Sequence, residues 1–324
     1  VSVSTGDSSP AGPAPLRIFI GTDASQVVAH QVLAHSIRRH ASIPVEITPM
    51  LDLPLPVPVN PTHRARVEFT FTRFLIPELC RFEGRALYLD ADMLVFGDVA
   101  ELAAVPFDGA KVLCSYQRVI PELWKDKPGY KAGRNVAVML LDCSRLDWDA
   151  AKIVAGLDEG HYTYEELVYD FCIVGDDGVA DTIPPEWNHL EHRDPNTRLL
   201  HYTVVRTQPW KVEKNPLGHL WVAAFAEALE AGAVAPDDVE AGIAAGHLMP
   251  ALGSFLHLAP DRRVPANDAS APRELALARM RIAGLERSLE QMRSSRAWRV
   301  GSTLAAAADA GRRLTRRARS AVGR

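Results

Sequence analysis

The chain has little cysteine, no long apolar run and no excess of positive charge in its body. Only four of its 324 residues are cysteine (Cys80, Cys114, Cys143 and Cys172), and they lie about thirty residues apart. None forms a Cys-x-x-Cys pair, which argues against a structural zinc site. Three of them fall in apolar stretches, where a free thiol behaves as a small hydrophobe, and this sparse usage points to a reducing compartment. No stretch approaches 18 apolar residues, so no membrane-spanning helix is expected. Residues 1–15 are rich in Ser, Gly, Pro and Ala with no apolar run; they read as a disordered segment rather than a secretory leader. From Arg273 onward the chain carries 13 Arg against 4 acidic residues, net +9, which leaves 23 basic against 36 acidic residues, net −13, before it. An acidic body argues against a nucleic-acid binder. No Gly-rich, basic loop follows the first apolar segment, which counts against nucleotidyltransferase chemistry.

What is present alternates. Arg17–Gly21 and Val45–Met50 read as strands, with a turn at Thr22-Asp23-Ala24-Ser25 and a helix running to about Arg39 between them. Pro54, Pro56, Pro58 and Pro61 keep residues 51–61 irregular. A helix is expected over Val67–Phe82, bent at Pro77, and strands over Ala86–Leu89, Lys111–Ser115 and Asn135–Leu141. Residues 116–132 read as a loop. Helices over Trp148–Leu157, Tyr164–Phe171 and Leu217–Ala231 and short strands over Val179–Ile183 and Arg198–His201 complete the pattern. Such alternation predicts an α/β fold with helices on both faces of its sheet, in which ligands bind at the carboxyl ends of the strands.

The most informative stretch is Ala86-Leu87-Tyr88-Leu89-Asp90-Ala91-Asp92. A buried strand should not end in two carboxylates, because an unpaired buried charge is costly. Two residues apart in extended chain, they point the same way and repel unless a cation lies between them. Hard divalent ions take such oxygen ligands together with substrate phosphates. Asp23 and His201 also stand at ends of apolar runs, so three strand ends can bring ligand-type residues to one crevice.

Two blocks then resemble the family 8 glycosyltransferases, retaining enzymes of the GT-A fold that use nucleotide-sugar donors and Mn²⁺. The first is Phe71-Thr72-Arg73-Phe74-Leu75-Ile76-Pro77-Glu78-Leu79 followed by Ala86 to Val95. The second is His201-Tyr202-Thr203 followed by Gln208-Pro209-Trp210. The resemblance runs over roughly residues 17–222. It implies a GT-A domain over 16–258, a Rossmann-like, mostly parallel mixed sheet, with Asp90, Asp92 and His201 as ligands to Mn²⁺ or Mg²⁺. By the same resemblance Thr22, Asp23 and Ser25 seat the nucleoside, and Asp90, Arg73, Arg206 and Gln208 contact the donor. Asn135, Glu165 and Glu166 lie at the sugar being transferred. The implied reaction is hexose transfer from a UDP-sugar, with retention, to an acceptor the sequence does not identify.

The chain departs from the family pattern in four places. Asn135-Val136-Ala137 replaces Asn-Ala-Gly, Glu165-Glu166 replaces Asp-Gln, Gln208 replaces Lys, and Ser25 replaces Asn. The charge lost at Gln208 is expected from Arg206 or Lys211. These departures keep a non-catalytic sugar-nucleotide binder or scaffold as a rival to an enzyme.

Residues 259–273 read as a linker. Beyond it Leu275, Ala278, Ile282, Leu285, Leu289 and Met292 follow the a/d spacing of a short coiled coil, and the Arg-rich end follows Trp298. A coiled segment followed by x-Trp-Arg resembles tails of bacterial envelope-polysaccharide glycosyltransferases. The expected partners are a nucleotide sugar, a sugar or lipid-linked acceptor, a second copy through weak self-association of residues 274–324, and an anionic membrane surface. That places the chain in the cytoplasm, peripheral at the inner face of the membrane.

Overall fold

The computed structural model describes residues 14–54, 57–64, 69–117, 133–175 and 177–260. The segment read as a short coiled coil with an Arg-rich end, nearly all of the linker, residues 1–13 and most of the 116–132 loop lie outside the described residues.

In chain order the strands are β1 (Leu16–Gly21), β2 (Val45–Met50), β3 (Arg85–Asp90), β4 (Met93–Val95), β5 (Val112–Gln117), β6 (Gly133–Asp142), β7 (Val179–Ile183), β8 (His189–Leu190) and β9 (Leu199–His201). The helices are α1 (Val27–His40), α2 (Pro61–Arg64), α3 (Phe69–Thr72), α4 (Ile76–Leu79), α5 (Val99–Ala103), α6 (Ala150–Asp158), α7 (Tyr164–Val168), α8 (Gly218–Glu230) and α9 (Pro236–Ala244). Six strands form one sheet in the order β2-β1-β3-β6-β5-β7. Three of its pairings are parallel and the two that involve β6 are antiparallel. The expected α/β fold with a mixed, mostly parallel sheet is therefore present.

Alternation along the strands decides what each face buries. Ile18, Ile20, Leu87 and Leu89 pack on one face with Leu33 and Ile37 of α1 and Leu102 of α5. Phe19, Ala86 and Tyr88 pack on the other, with Phe74, with Ile153 and Leu157 of α6, and with Leu167 of α7. A third core holds Trp210, Trp221, Phe225 and Phe255, and closes α8 and α9 against Val28 and Val32 on the far side of α1.

Several elements differ from the sequence expectation. The helix expected over Val67–Phe82 is broken into α3, a 3-10 turn at Arg73–Leu75 and α4. Pro77 cannot donate to the preceding turn, and Arg81 and Phe82 take left-handed backbone angles that end the segment. The Tyr164–Phe171 helix stops at Val168, because Phe171 adopts a φ of 51°. Finally, α9 and a 3-10 segment at Pro250–Leu258 were not expected. Pro236 at the first helical position and Asp237-Asp238 in the first turn are the local signals for α9.

A small second sheet, β4-β9-β8, positions the site. β3 ends at Asp90, the chain crosses Ala91-Asp92, and β4 pairs antiparallel with β9 in the register Met93↔His201. The Tyr202 amide then donates to the Asp92 carbonyl at 2.8 Å. This short pairing joins residues more than a hundred positions apart in sequence.

Candidate active site

β1 and β3 run parallel with Gly21 opposite Asp90, so the turn after β1 lies beside the aspartate pair. In that turn Asp23 caps the following 3-10 helix, and its Oδ1 accepts from the Ser25 amide at 2.8 Å and the Ser25 hydroxyl at 2.6 Å. Asp23 and Ser25 thus form one rigid unit. Thr22 is buried, and its hydroxyl faces the Asp23 carbonyl and His30.

Asp90, Asp92 and His201 converge: one ligand atom from each lies within 4.8 Å of the others. Asp90 is held from behind. The Tyr88 hydroxyl donates to its Oδ1 at 2.8 Å, and the Arg73 guanidinium stands 3.9 Å from the same oxygen. Gly21 makes this possible, since a Cβ there would collide with the Tyr88 hydroxyl. Arg73 is only 3% exposed; it donates to the Val136 carbonyl at 3.2 Å and to Tyr88 at 3.3 Å, and its charge lies over the Tyr88 ring. Burial lifts the Asp90 carboxyl to about 6, against the opposing pull of Arg73.

Asp92 and His201 meet in an unusual way. His201 Nε2 lies 3.0 Å from Asp92 Oδ1, yet Oδ1 is buried and receives no hydrogen bond. Both atoms lie beside Asp90, within 4.8 Å of one of its ligand atoms. Burial works to lower the His201 pKa, but Asp92, Asp90 and Glu191 together raise it. The cluster therefore attracts positive charge, and its donor set of two carboxylates and one imidazole suits a divalent cation such as Mn²⁺.

The surrounding residues fall into two groups. Gln208, fully buried, donates from Nε2 to Asp92 Oδ2 at 3.0 Å and to the Tyr202 carbonyl at 3.3 Å. Lys211, three residues on, is half-buried; desolvation lowers its pKa, opposed by Asp23 and Asp92. It is therefore a cation that shares a field with both the β1 turn and the aspartate pair. Arg206 is exposed on the 3-10 turn Val205–Thr207. The backbone of Trp210 accepts from Met249, and its ring packs on Trp221, which fixes the segment carrying Lys211.

Asn135 lies at the start of the β6 bulge, where the β5 pairing jumps between Cys114 and Ser115, and its side chain accepts from the Ala137 amide at 3.0 Å. Glu165 and Glu166 are exposed in the first turn of α7. Glu166 completes a capping box, accepting from the Thr163 amide at 2.7 Å and the Thr163 hydroxyl at 2.9 Å, and these bonds lower its pKa.

Sequence reasoning missed Tyr88, Asn188 and Glu191. Asn188, 1% exposed, accepts at Oδ1 from His201 Nδ1 at 3.0 Å. Glu191 takes a left-handed φ of 50° and accepts from the Val204 amide at 2.8 Å, shaping the chain just after His201. Only Tyr88 had a local signal, a polar hydroxyl in an otherwise apolar strand.

Residues 57–136 match the family model described as glycosyl transferase family 8. That stretch includes Arg73, Asp90, Asp92 and Asn135. Protein CDI of Arabidopsis thaliana is 29% identical over 214 residues, covering 60% of this chain and 80% of that protein. Among solved structures the chain is similar to the bifunctional glycosyltransferase WbbM in its apo form, with a TM-score of 0.47 and 16% identity over 67% of this chain. It spans about half of that protein, 50%. It is also similar to the galactosyltransferase LgtC in complex with donor and acceptor sugar analogs, with a TM-score of 0.45 and 15% identity, covering 65% of this chain and 96% of that one.

Proposed function

We propose that the chain is a family 8 glycosyltransferase, on the match over residues 57–136, and that it transfers a hexose from a UDP-sugar to a sugar or lipid-linked acceptor, with retention at the anomeric carbon. The observation that carries this reading is the contact between His201 Nε2 and the orphaned Asp92 Oδ1, 3.0 Å apart and both facing Asp90. Asp90, Asp92 and His201 would hold a divalent cation, and the imidazole nitrogen favours Mn²⁺ over Mg²⁺. Such a cation supplies Lewis-acid charge to a leaving diphosphate.

The protein groups divide the remaining work. Asp23, already fixed by Ser25, offers its free carboxylate oxygen to the nucleoside. Arg73 acts through Asp90 rather than on the donor, because its guanidinium is buried against Tyr88 and Val136. Lys211 takes the place of the lysine that Gln208 replaces. Half-buried, it loses little solvation on meeting a diphosphate, where a charge-assisted hydrogen bond is strong. Asn135 and Glu165 would face the sugar, whereas Glu166 closes the first turn of α7.

Release of free UDP from a panel of UDP-sugars, with and without Mn²⁺, tests the reading. Metal-dependent release of UDP from one sugar supports it. Release of pyrophosphate would indicate nucleotidyl transfer instead, and binding without turnover would indicate a non-catalytic binder.

A further inference from the structure

We infer that Asn188 and Gln208 are positioning residues that decide which atoms of His201 and Asp92 face the cation site. The inference rests on the cation reading above and adds to it two residues outside the ligand set.

An imidazole has two nitrogens, and which one carries the proton is set by the partner of the other. His201 Nδ1 meets the side-chain carbonyl of Asn188 at 3.0 Å, and that oxygen can only accept. The Asn188 Nδ2 donates to the Ser115 hydroxyl at 2.9 Å. Ser115 in turn directs its own hydrogen to the Asn135 carbonyl at 3.4 Å. The Asn188 backbone is tied as well, since its carbonyl accepts from the Gln117 side chain at 2.9 Å. With the Ser115 hydrogen so directed, Asn188 presents its oxygen to His201, which favours the proton on Nδ1 and the lone pair on Nε2. Nε2 is the atom that faces Asp92 and Asp90.

Gln208 does the same for the carboxylate. Its Nε2 occupies Asp92 Oδ2 at 3.0 Å, and its second hydrogen is directed to the Tyr202 carbonyl. Asp92 Oδ1 is thereby left as the free oxygen, and it is the one beside His201. A carboxylate at position 208 would repel Asp92, and an aliphatic side chain would let it rotate. Asn188 and Gln208 are 1% and 0% exposed, so neither competes with a donor for solvent-facing space. Outer partners of this kind orient ligands and typically change metal affinity by about 10–100-fold.

Two measurements test this, and neither needs turnover. In the metal-free protein at alkaline pH, ¹⁵N NMR of His201 is expected to show the proton on Nδ1; a proton on Nε2 overturns the assignment for Asn188. Mn²⁺ affinity by EPR titration is expected to fall about 10–100-fold in Asn188→Leu and Gln208→Leu. It is expected to stay within a few-fold in Asn188→Asp, which keeps the acceptor, and in Gln208→Lys, which keeps a donor. Folded Leu variants that bind Mn²⁺ like the natural protein overturn the proposal, as do Asp and Lys variants as weak as the Leu variants. If the natural protein takes up no Mn²⁺, the cation reading fails. The tautomer measurement still decides separately whether Asn188 sets the imidazole.

Discussion

At the scale of single residues, the site is defined by which polar atoms are satisfied and which are left over. Asp90 has Tyr88 and Arg73 behind it, and Asp92 has Gln208 at one oxygen and nothing but a histidine at the other. Asp92→Asn is therefore expected to abolish UDP release while leaving the far-UV circular dichroism unchanged; retained release would remove Asp92 from the site. Lys211→Met is expected to raise KM for the UDP-sugar about tenfold or more, the loss of one charge-assisted hydrogen bond. Arg206→Met, an exposed change, should leave KM near its original value in the same assay. Glu166→Gln should not change turnover, because Gln can still accept from Thr163; a large loss would return Glu166 to the sugar. The pKa shifts give a further expectation. Burial raises Asp90 from 3.8 to about 6, so the folded chain binds more protons than the unfolded chain between those values. Stability without metal then falls as pH rises through that window. His201 is raised above 6.5, with its carboxylate neighbours overcoming burial. Its contribution is present below 6.5 and is lost as pH rises through the folded value. Both shifts have the same sign. The rise in Tm on adding Mn²⁺ should be small near about pH 5 and larger near about pH 8, and an equal rise at both would contradict the account.

At the scale of elements, the site depends on one crossing between sheets. β3 delivers Asp90, the chain passes Asp92, and the three-residue pairing of β4 with β9 delivers His201. Gly21 supports this from β1 by leaving room for the Tyr88 hydroxyl. Gly21→Ala is expected to cost about 1–3 kcal/mol through overpacking and to weaken Mn²⁺ binding, because the displaced hydroxyl is the one that holds Asp90. A thermal melt and a Mn²⁺ titration read the two effects separately. Much of this architecture was legible in the sequence. Short apolar runs marked β1, β3 and β6, and a buried strand that ended in two carboxylates pointed to the candidate site before any partner was known. The supporting contacts were not legible. Asn188 and Gln208 matter only because β8, β9 and β4 lie side by side, and pairings two or three residues long leave no periodic signal. The choice between Arg206 and Lys211 likewise turned on burial. The Trp210–Trp221 packing fixes one, while the other sits on an exposed turn.

At the scale of the whole molecule, charge is divided between an acidic body of net −13 and a basic end of net +9. Among the described residues no helix is long and apolar enough to cross a membrane. The sequence beyond Arg273 motivates a proposal of surface attachment: Arg residues near an anionic bilayer contribute about 1 kcal/mol each, and Trp298 would add an interfacial anchor. Flotation should bring the full chain up with anionic liposomes at low salt and leave a chain ending at Pro260 in the soluble fraction. Identical partitioning of the two would remove the membrane role.

The central claim is that Asp90, Asp92 and His201 hold one divalent cation for the leaving diphosphate. Anomalous diffraction from crystals grown with Mn²⁺ and UDP tests it most directly. The account predicts a single strong peak about 2.0–2.5 Å from a carboxylate oxygen of Asp90, from Asp92 Oδ1 and from His201 Nε2, with diphosphate oxygens completing the shell. A Mn²⁺ peak bound elsewhere, or UDP bound with no peak between these three side chains, would contradict it.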